Sequence, residues 1–263
     1  MSLGLFSYFG YQLPLARRSR LIKDAGFTHT SIIWGPPEEL FAAGKQDTIP
    51  DIIRNAGLFL ENLHVPFENS NQIWSQNDSE RGAFVERHLA AVKDAVRHDV
   101  DCLVLHVSSG SNAPGPTEKG LQDFRRIVAA AEDAGVKLAI ENTRRDDILD
   151  FLMSRIASPA LGFCYDSSHD WLWGAPRTGS LRRWGHRLLY THFSDVSDSQ
   201  DRHLLPCDGI IDWPQIADVF PRRTYRGILS VEVAADPRVP ELPAAFLAKA
   251  RERLEWIGDL LAP

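Results

Sequence analysis

Short apolar runs rich in β-branched and aromatic residues alternate along the chain with longer segments in which apolar residues return every three or four positions. This is the pattern of repeated strand-helix units. Eight runs predict strands: Leu3–Tyr8, Thr30–Trp34, Leu58–Leu63, Cys102–Leu105, Leu138–Ile140, Leu161–Tyr165, Leu188–Thr191 and Ile228–Val231. Most are apolar without interruption, which suits parallel strands covered by helices. Helical spacing puts Val85, Leu89, Val92 and Val96 on one core-facing stripe, Leu121, Phe124, Val128 and Ala131 on a second, and Leu247, Ala250, Leu254, Ile257 and Leu261 on a third. Gly26 and Gly135 stand just past two helix ends, and Asp212-Trp213-Pro214-Gln215 reads as a capped helix start. No Pro/Ser-rich linker or shift in composition divides the chain. The expectation is an α/β protein with one domain over residues 1–263, a single (β/α)8 TIM barrel, with a doubly wound open sheet as the competing arrangement.

In such a barrel the chemistry gathers at the carboxyl ends of the strands, so the residue that stops each apolar run is informative. Run three stops at His64, run four at His106, run five at Glu141, run six at Asp166, run seven at His192 and run eight at Glu232. His169 follows three residues after Asp166, and Asp201 and His203 follow strand seven. Each of these alone reads as a turn cap or a loop hydrogen bond. Together they set several carboxylates side by side at one barrel mouth, which is unfavourable without a counter-charge, and a divalent cation bound by Glu, Asp and His supplies one. The other histidines, His29, His88, His98 and His186, fall on helices or far strand ends, where surface roles suffice.

Charge and composition then narrow the function. With 29 Lys+Arg against 35 Asp+Glu the net charge is −6, so no overall basic field advertises a nucleic acid or an anionic membrane. Three cysteines without CxxC spacing fit neither a disulfide scaffold nor a zinc ribbon, and a reducing cytoplasm is the simplest home. No membrane-length apolar stretch or basic leader is present. GxxxxGK[ST], HExxH, GxSxG and a strand-linked GxGxxG are all missing, which leaves metal chemistry without a strong rival.

At these residues the chain resembles the xylose isomerase-like barrels, a superfamily of sugar isomerases, ketose 3-epimerases, inosose dehydratases and endonuclease IV. The likeness spans nearly the whole chain and rests on HVPF at His64, IEN at Glu141, YDSSH at Asp166–His169, THFSD at His192, DRHLLPCDG at Asp201–Gly209 and VEV at Glu232. The resemblance to the epimerase branch implies one divalent metal on Glu141, Asp166, His192 and Glu232, with Glu141 and Glu232 also the catalytic acid and base. It implies substrate contacts at His169 and Arg202. The resemblance to endonuclease IV implies instead a three-zinc site that adds His64, His106, His169, Asp201 and His203 as ligands. Cys207-Asp208-Gly209 stands where relatives read Gly-Glu-Gly or Gly-Lys-Gly.

The function these readings favour is a metal-dependent isomerase or epimerase acting on a sugar or sugar-like polyol ketone. A metal chelating the carbonyl would make the α-proton removable through an enediolate, with the two glutamates exchanging it. His64, His106, His169, Arg202 and Trp171 are the expected substrate contacts, with Trp34, Trp74 and Trp173 as further aromatic candidates. Three carboxylates suit Mn, Mg or Co, while added histidines favour Zn. The alternative is a zinc phosphodiesterase of the endonuclease IV kind, against which stand the lack of a basic stripe and of long loops to grip a duplex. A catalytically dead binding barrel is disfavoured because every candidate ligand is intact. The partner expected is a small sugar or polyol, preferably without phosphate because no Gly-rich phosphate turn follows strand seven. A homo-oligomer is left open.

Overall fold

The computed structural model describes residues 2–35 and 46–262. Eight parallel strands are formed: β1 (Leu3–Phe6), β2 (His29–Ile33), β3 (Phe59–His64), β4 (Cys102–Leu105), β5 (Lys137–Glu141), β6 (Leu161–Asp166), β7 (Leu188–His192) and β8 (Leu229–Val231). They pair in the order β7-β6-β5-β4-β3-β2-β1-β8. Phe193 lies opposite Val231 and joins the two ends: its N–H donates to Ser230 O at 2.9 Å, and Glu232 N–H donates to Phe193 O at 3.1 Å. The sheet is therefore the expected barrel and not an open doubly wound sheet.

The helices packed around it are α1 (Leu15–Asp24), α2 (Ile49–Asn55), α3 (Asp78–Arg97), α4 (Glu118–Asp133), α5 (Asp146–Arg155), α6 (Ser167–Trp173), α7 (Gly179–Trp184), α8 (Trp213–Ala217) and α9 (Pro243–Leu260). Gly26 (φ +92°) and Gly135 (φ +73°) occupy the left-handed positions after α1 and α4, which glycine reaches without a Cβ clash. The Asp212 carboxylate accepts from Gln215 N–H at 3.1 Å and starts α8 as expected. Among the described residues no helix is long and apolar enough to cross a membrane.

Two expectations are corrected. β1 stops at Phe6 and not Tyr8, because Tyr8 is exposed and Gly10 turns the chain at φ +92°. On α3 the inward stripe is rotated: Phe84, Val85, His88, Ala91, Val92 and Ala95 are buried, Leu89 is only partly covered and Val96 is exposed. His88 is thus a core residue. Its ring stacks on Phe84 at 3.9 Å between centroids, its Nδ1 bonds Phe84 O at 2.7 Å, and burial pushes its pKa down to about 4.

β3, β5, β6 and β7 each run one residue beyond the apolar run that predicts them, so His64, Glu141, Asp166 and His192 are themselves final strand residues. Rigid sheet, not loop, aims these four side chains. Inside the barrel below them, Cys102, Val104, Ala139 and Cys164 pack with Leu189 and Tyr190. The outer face of the sheet joins the large apolar core shared with the helices.

Candidate metal centre

Glu141, almost fully buried, is the hub of the rim. Its Oε2 lies 3.2 Å from His64 Nε2, 3.1 Å from His106 Nε2 and 3.3 Å from His192 Nδ1, and its Oε1 lies 3.4 Å from His169 Nδ1. Glu232 Oε2 approaches the same His192 nitrogen, Nδ1, at 2.9 Å. His169 reaches outward through Nε2 to Asp201 Oδ2 at 2.9 Å, and His203 Nε2 meets the same oxygen at 3.5 Å.

Among the described residues three groups of metal-capable atoms emerge, within each of which one ligand atom per residue lies within 4.8 Å of the others: His64, Glu141 and His192; Glu141, Asp166, His192 and Glu232; and His169, Asp201 and His203. Glu141 and His192 belong to the first two. His106 touches Glu141 beside the first group. All nine rim residues singled out in the sequence therefore meet at one mouth, and the arrangement offers more than a single four-ligand position.

The donor set fits divalent cations on two grounds. Asp166 Oδ2, both ring nitrogens of His192 and Asp201 Oδ1 are buried without a directed hydrogen bond, a costly state that a cation relieves. Electrostatics agrees. Burial alone would raise Glu141 and Glu232, yet His192 and His106 hold Glu141 well below the ordinary carboxylate range, and His192 and His203 hold Glu232 down to about 2. Burial alone would lower the histidines, yet Asp166, Asp201 and Glu141 carry His169 up to about 10, and Cys164, Glu141 and Glu232 carry His192 well above its usual value. The carboxylates at this mouth thus favour positive charge beside them, on His169 and His192 or on a bound cation.

Neighbouring residues fix these ligands. Asn142 brackets the end of β6: its Oδ1 accepts from Asp166 N–H at 2.7 Å and its Nδ2 donates to Asp166 O at 2.8 Å. Asp166 Oδ1 accepts from His169 N–H at 2.7 Å, capping α6 and setting His169 beside it. Asp195 takes four donors, the N–H groups of Val196, Cys207 and Ile211 at 2.8–3.1 Å and Trp213 Nε1 at 3.0 Å. It thereby folds the loop that carries Asp201 and His203, and a Cβ at Gly209 would strike its carboxylate. Asn142 and Asp195 stood inside the IEN and THFSD motifs without an assigned role, their polarity at a strand end being the only signal.

The remaining candidates divide. Trp34 and Trp74 are core residues whose indoles donate to Asp94 at 2.9 Å and Val107 O at 2.6 Å. Trp171 is buried beneath the Arg177 guanidinium, 4.3 Å from its ring. Trp173 is half-buried and stacks on His169 at 4.9 Å, and exposed Phe67, missed in the sequence, stacks on His106 at 5.4 Å. Arg202 binds Asp198 and Gln200 within its own loop at 3.0–3.2 Å.

Comparison with known proteins agrees with the architecture. Residues 19–260 match the family model described as xylose isomerase-like TIM barrel. The uncharacterized protein y4fM of Sinorhizobium fredii is 29% identical over 82% of this chain and 80% of its own length. The L-ribulose-5-phosphate 3-epimerase UlaE of Escherichia coli is 22% identical over 66% of this chain and 75% of its own. A solved L-ribulose 3-epimerase superposes with a TM-score of 0.77 at 17% identity, covering 99% of this chain and 95% of that one.

Proposed function

Because this chain belongs to the xylose isomerase-like TIM barrel family, we propose that it is a metal-dependent isomerase or epimerase acting on a sugar or sugar-like polyol ketone. The observation that carries this reading is the convergence of Glu141 and Glu232 on one nitrogen of His192, Nδ1, at 3.3 and 2.9 Å, in one four-ligand group with Asp166. The epimerase activity named for UlaE and for the L-ribulose 3-epimerase relative supports it.

Glu141, Asp166, His192 and Glu232 would hold the principal ion, with Mn, Mg, Co or Zn compatible with the donors. Bound there, a divalent ion supplies Lewis acidity that makes the proton beside a ketone removable. Glu232 has about one fifth of its side chain exposed and faces the mouth, so it takes the proton as the enediolate forms. Glu141, hemmed in by four imidazoles, would take a proton from one of them and pass it to the opposite face, so that the proton Glu232 removes is matched by one returned. His64, His106 and His169 each touch Glu141 and would meet a substrate beside it, with Trp173, stacked on His169, a better placed aromatic wall than the buried Trp171.

Incubating the metal-loaded protein with a panel of ketoses in deuterated water tests this. Deuterium should enter the carbon next to the carbonyl, and Glu232→Gln should slow that exchange by roughly 100- to 10,000-fold while leaving the fold intact.

A second reading is favoured by one specific feature, the three adjoining ligand groups that together use His64, His169, Asp201 and His203 as well, with His106 against Glu141 beside them. That set suits several zinc ions and hydrolysis of a phosphodiester. About three zinc ions per chain, cleavage of abasic DNA dependent on His64 and His106, and no deuterium uptake from any ketose would replace the isomerase reading with this one.

A further inference from the structure

Among the described residues, most arginines near the barrel mouth already have partners. Arg145 pairs with Asp147 at 2.7 Å, Arg183 with Asp150 at 2.9 Å and Arg202 with Asp198 at 3.2 Å, and Arg177 donates to Trp171 O at 3.2 Å. Arg144 makes no hydrogen bond or ion pair with any described residue and is exposed. It leaves β5 three residues after Glu141, on a stretch whose base is rigid: Asn142 is held by Asp166, and the Thr143 hydroxyl bonds that of Ser108 at 2.7 Å.

The Arg144 guanidinium lies over the Trp173 ring with its carbon 4.1 Å from the centroid. That indole in turn stacks on His169 at 4.9 Å and 29°. The Trp173 N–H has no acceptor among the described residues, whereas the indoles of Trp34, Trp74, Trp184 and Trp213 each have one. Stacking on an aromatic face orients a guanidinium while leaving its N–H edge free to form paired hydrogen bonds with an oxyanion. The carboxylates that begin α5 do not neutralise it: Asp147 is held by Arg145, and Asp146 faces Arg183 at 3.8 Å.

We propose that Arg144 and Trp173 form a receptor for an anionic terminal group, a phosphate or a carboxylate, on a polyol whose ketone end sits at the metal centre. This inference rests on the isomerase/epimerase reading for the ketone end, and it names the substrate class as an anionic sugar derivative. A Gly-rich turn after β7 is not required, because a stacked guanidinium on the β5 side performs the same task. It also serves a carboxylate as well as a phosphate, so the two are separated by experiment.

The metal-loaded protein is titrated calorimetrically with ribitol, ribitol 5-phosphate and ribonate, matched five-carbon polyols with a neutral, phosphate or carboxylate end. One of the anionic polyols should bind more tightly than ribitol by on the order of 10- to 100-fold, the scale of a charge-assisted hydrogen-bond pair. Which one does so identifies the group. Arg144→Ala should remove the preference, Arg144→Lys should keep part of it, and Arg126→Ala, which removes an exposed arginine of α4 paired with Asp123, should keep all of it. Equal affinity for the three polyols, absence of binding by all three, or a preference that survives Arg144→Ala overturns the proposal. If ketoses take up no deuterium while an Arg144-dependent preference persists, the isomerase reading fails and the anion receptor stands.

Discussion

Glu141 and Glu61 are both buried glutamates inside the barrel, one at the rim and one a layer below it, and their surroundings push them in opposite directions. Glu141 has four imidazoles within 3.1–3.4 Å and is held well below the ordinary carboxylate range. Glu61 has Ser230 Oγ at 2.7 Å from Oε1, a buried Oε2 without a partner, and no cation in contact. Burial pushes it up to about 7 against the weaker pull of Ser230, His192 and Ser31. Burial is common to both, so it does not decide the protonation state. Proximity to groups that can carry positive charge does. The rim is therefore built to hold anions and bind cations, whereas the layer beneath it is a neutral polar plug.

The largest effect that would break this contrast is on metal content. Glu141→Gln should weaken metal binding by on the order of 100-fold or more, because the residue belongs to two of the three ligand groups. Glu61→Gln should leave the stoichiometry unchanged. Elemental analysis of both variants after dialysis distinguishes them, and loss of metal from the Glu61 variant would show that the lower layer belongs to the metal centre.

Next in size is the pH dependence of stability in the metal-free protein. A folded-state pKa of about 7 against an ordinary value of 4.5 means that the folded form keeps the Glu61 proton more tightly than the unfolded chain does. The stabilisation is complete below about pH 4.5 and is lost as the pH rises towards 7. Glu61→Gln removes that loss, so the variant should gain on the wild type by up to about 3 kcal/mol at pH 8 and by nothing from this source at pH 4. Denaturant unfolding at the two pH values measures it. A constant difference between the proteins at both would refute the neutral-plug description.

The rim was largely legible in the sequence because strand ends announce themselves. His64, His106, Glu141, Asp166, His192 and Glu232 each stop an apolar run, and the barrel rule carries all of them to one face. Three things were hidden. Glu61 sits inside the run Leu58–Leu63 with no role assigned to it, and a register shift opposite it, between Thr30 and Ser31, accompanies burial of both Glu61 and Asn62. His88 lies next to a plausible valine stripe, and spacing alone does not choose between neighbouring helix faces. The meeting of Arg144 with Trp173 joins the loop after β5 to the last residue of α6, a contact that no single stretch of sequence contains.

The smallest expected effect probes how tightly the lower layer is fitted. Gly4 on β1 pairs in register with Ser230 on β8, and a Cβ built at Gly4 would lie 2.6 and 2.9 Å from the two Glu61 carboxyl oxygens and 2.7 Å from Ser230 Oγ. The neighbour that must yield is a buried side chain between two strands, so Gly4→Ala should destabilise by about 1–3 kcal/mol. The same substitution made in a Glu61→Ala background meets a void where the carboxyl stood, and its cost should fall because the new methyl fills part of that space and the Ser230 hydroxyl, 2.7 Å away and released from Glu61, can turn into the rest. The coupling between the two changes, read from denaturant midpoints of the four proteins, isolates the contact from general effects of alanine in a strand. Additive effects would mean that Gly4 is needed for some other reason, and that the carboxyl of Glu61 is free to move away from the barrel axis.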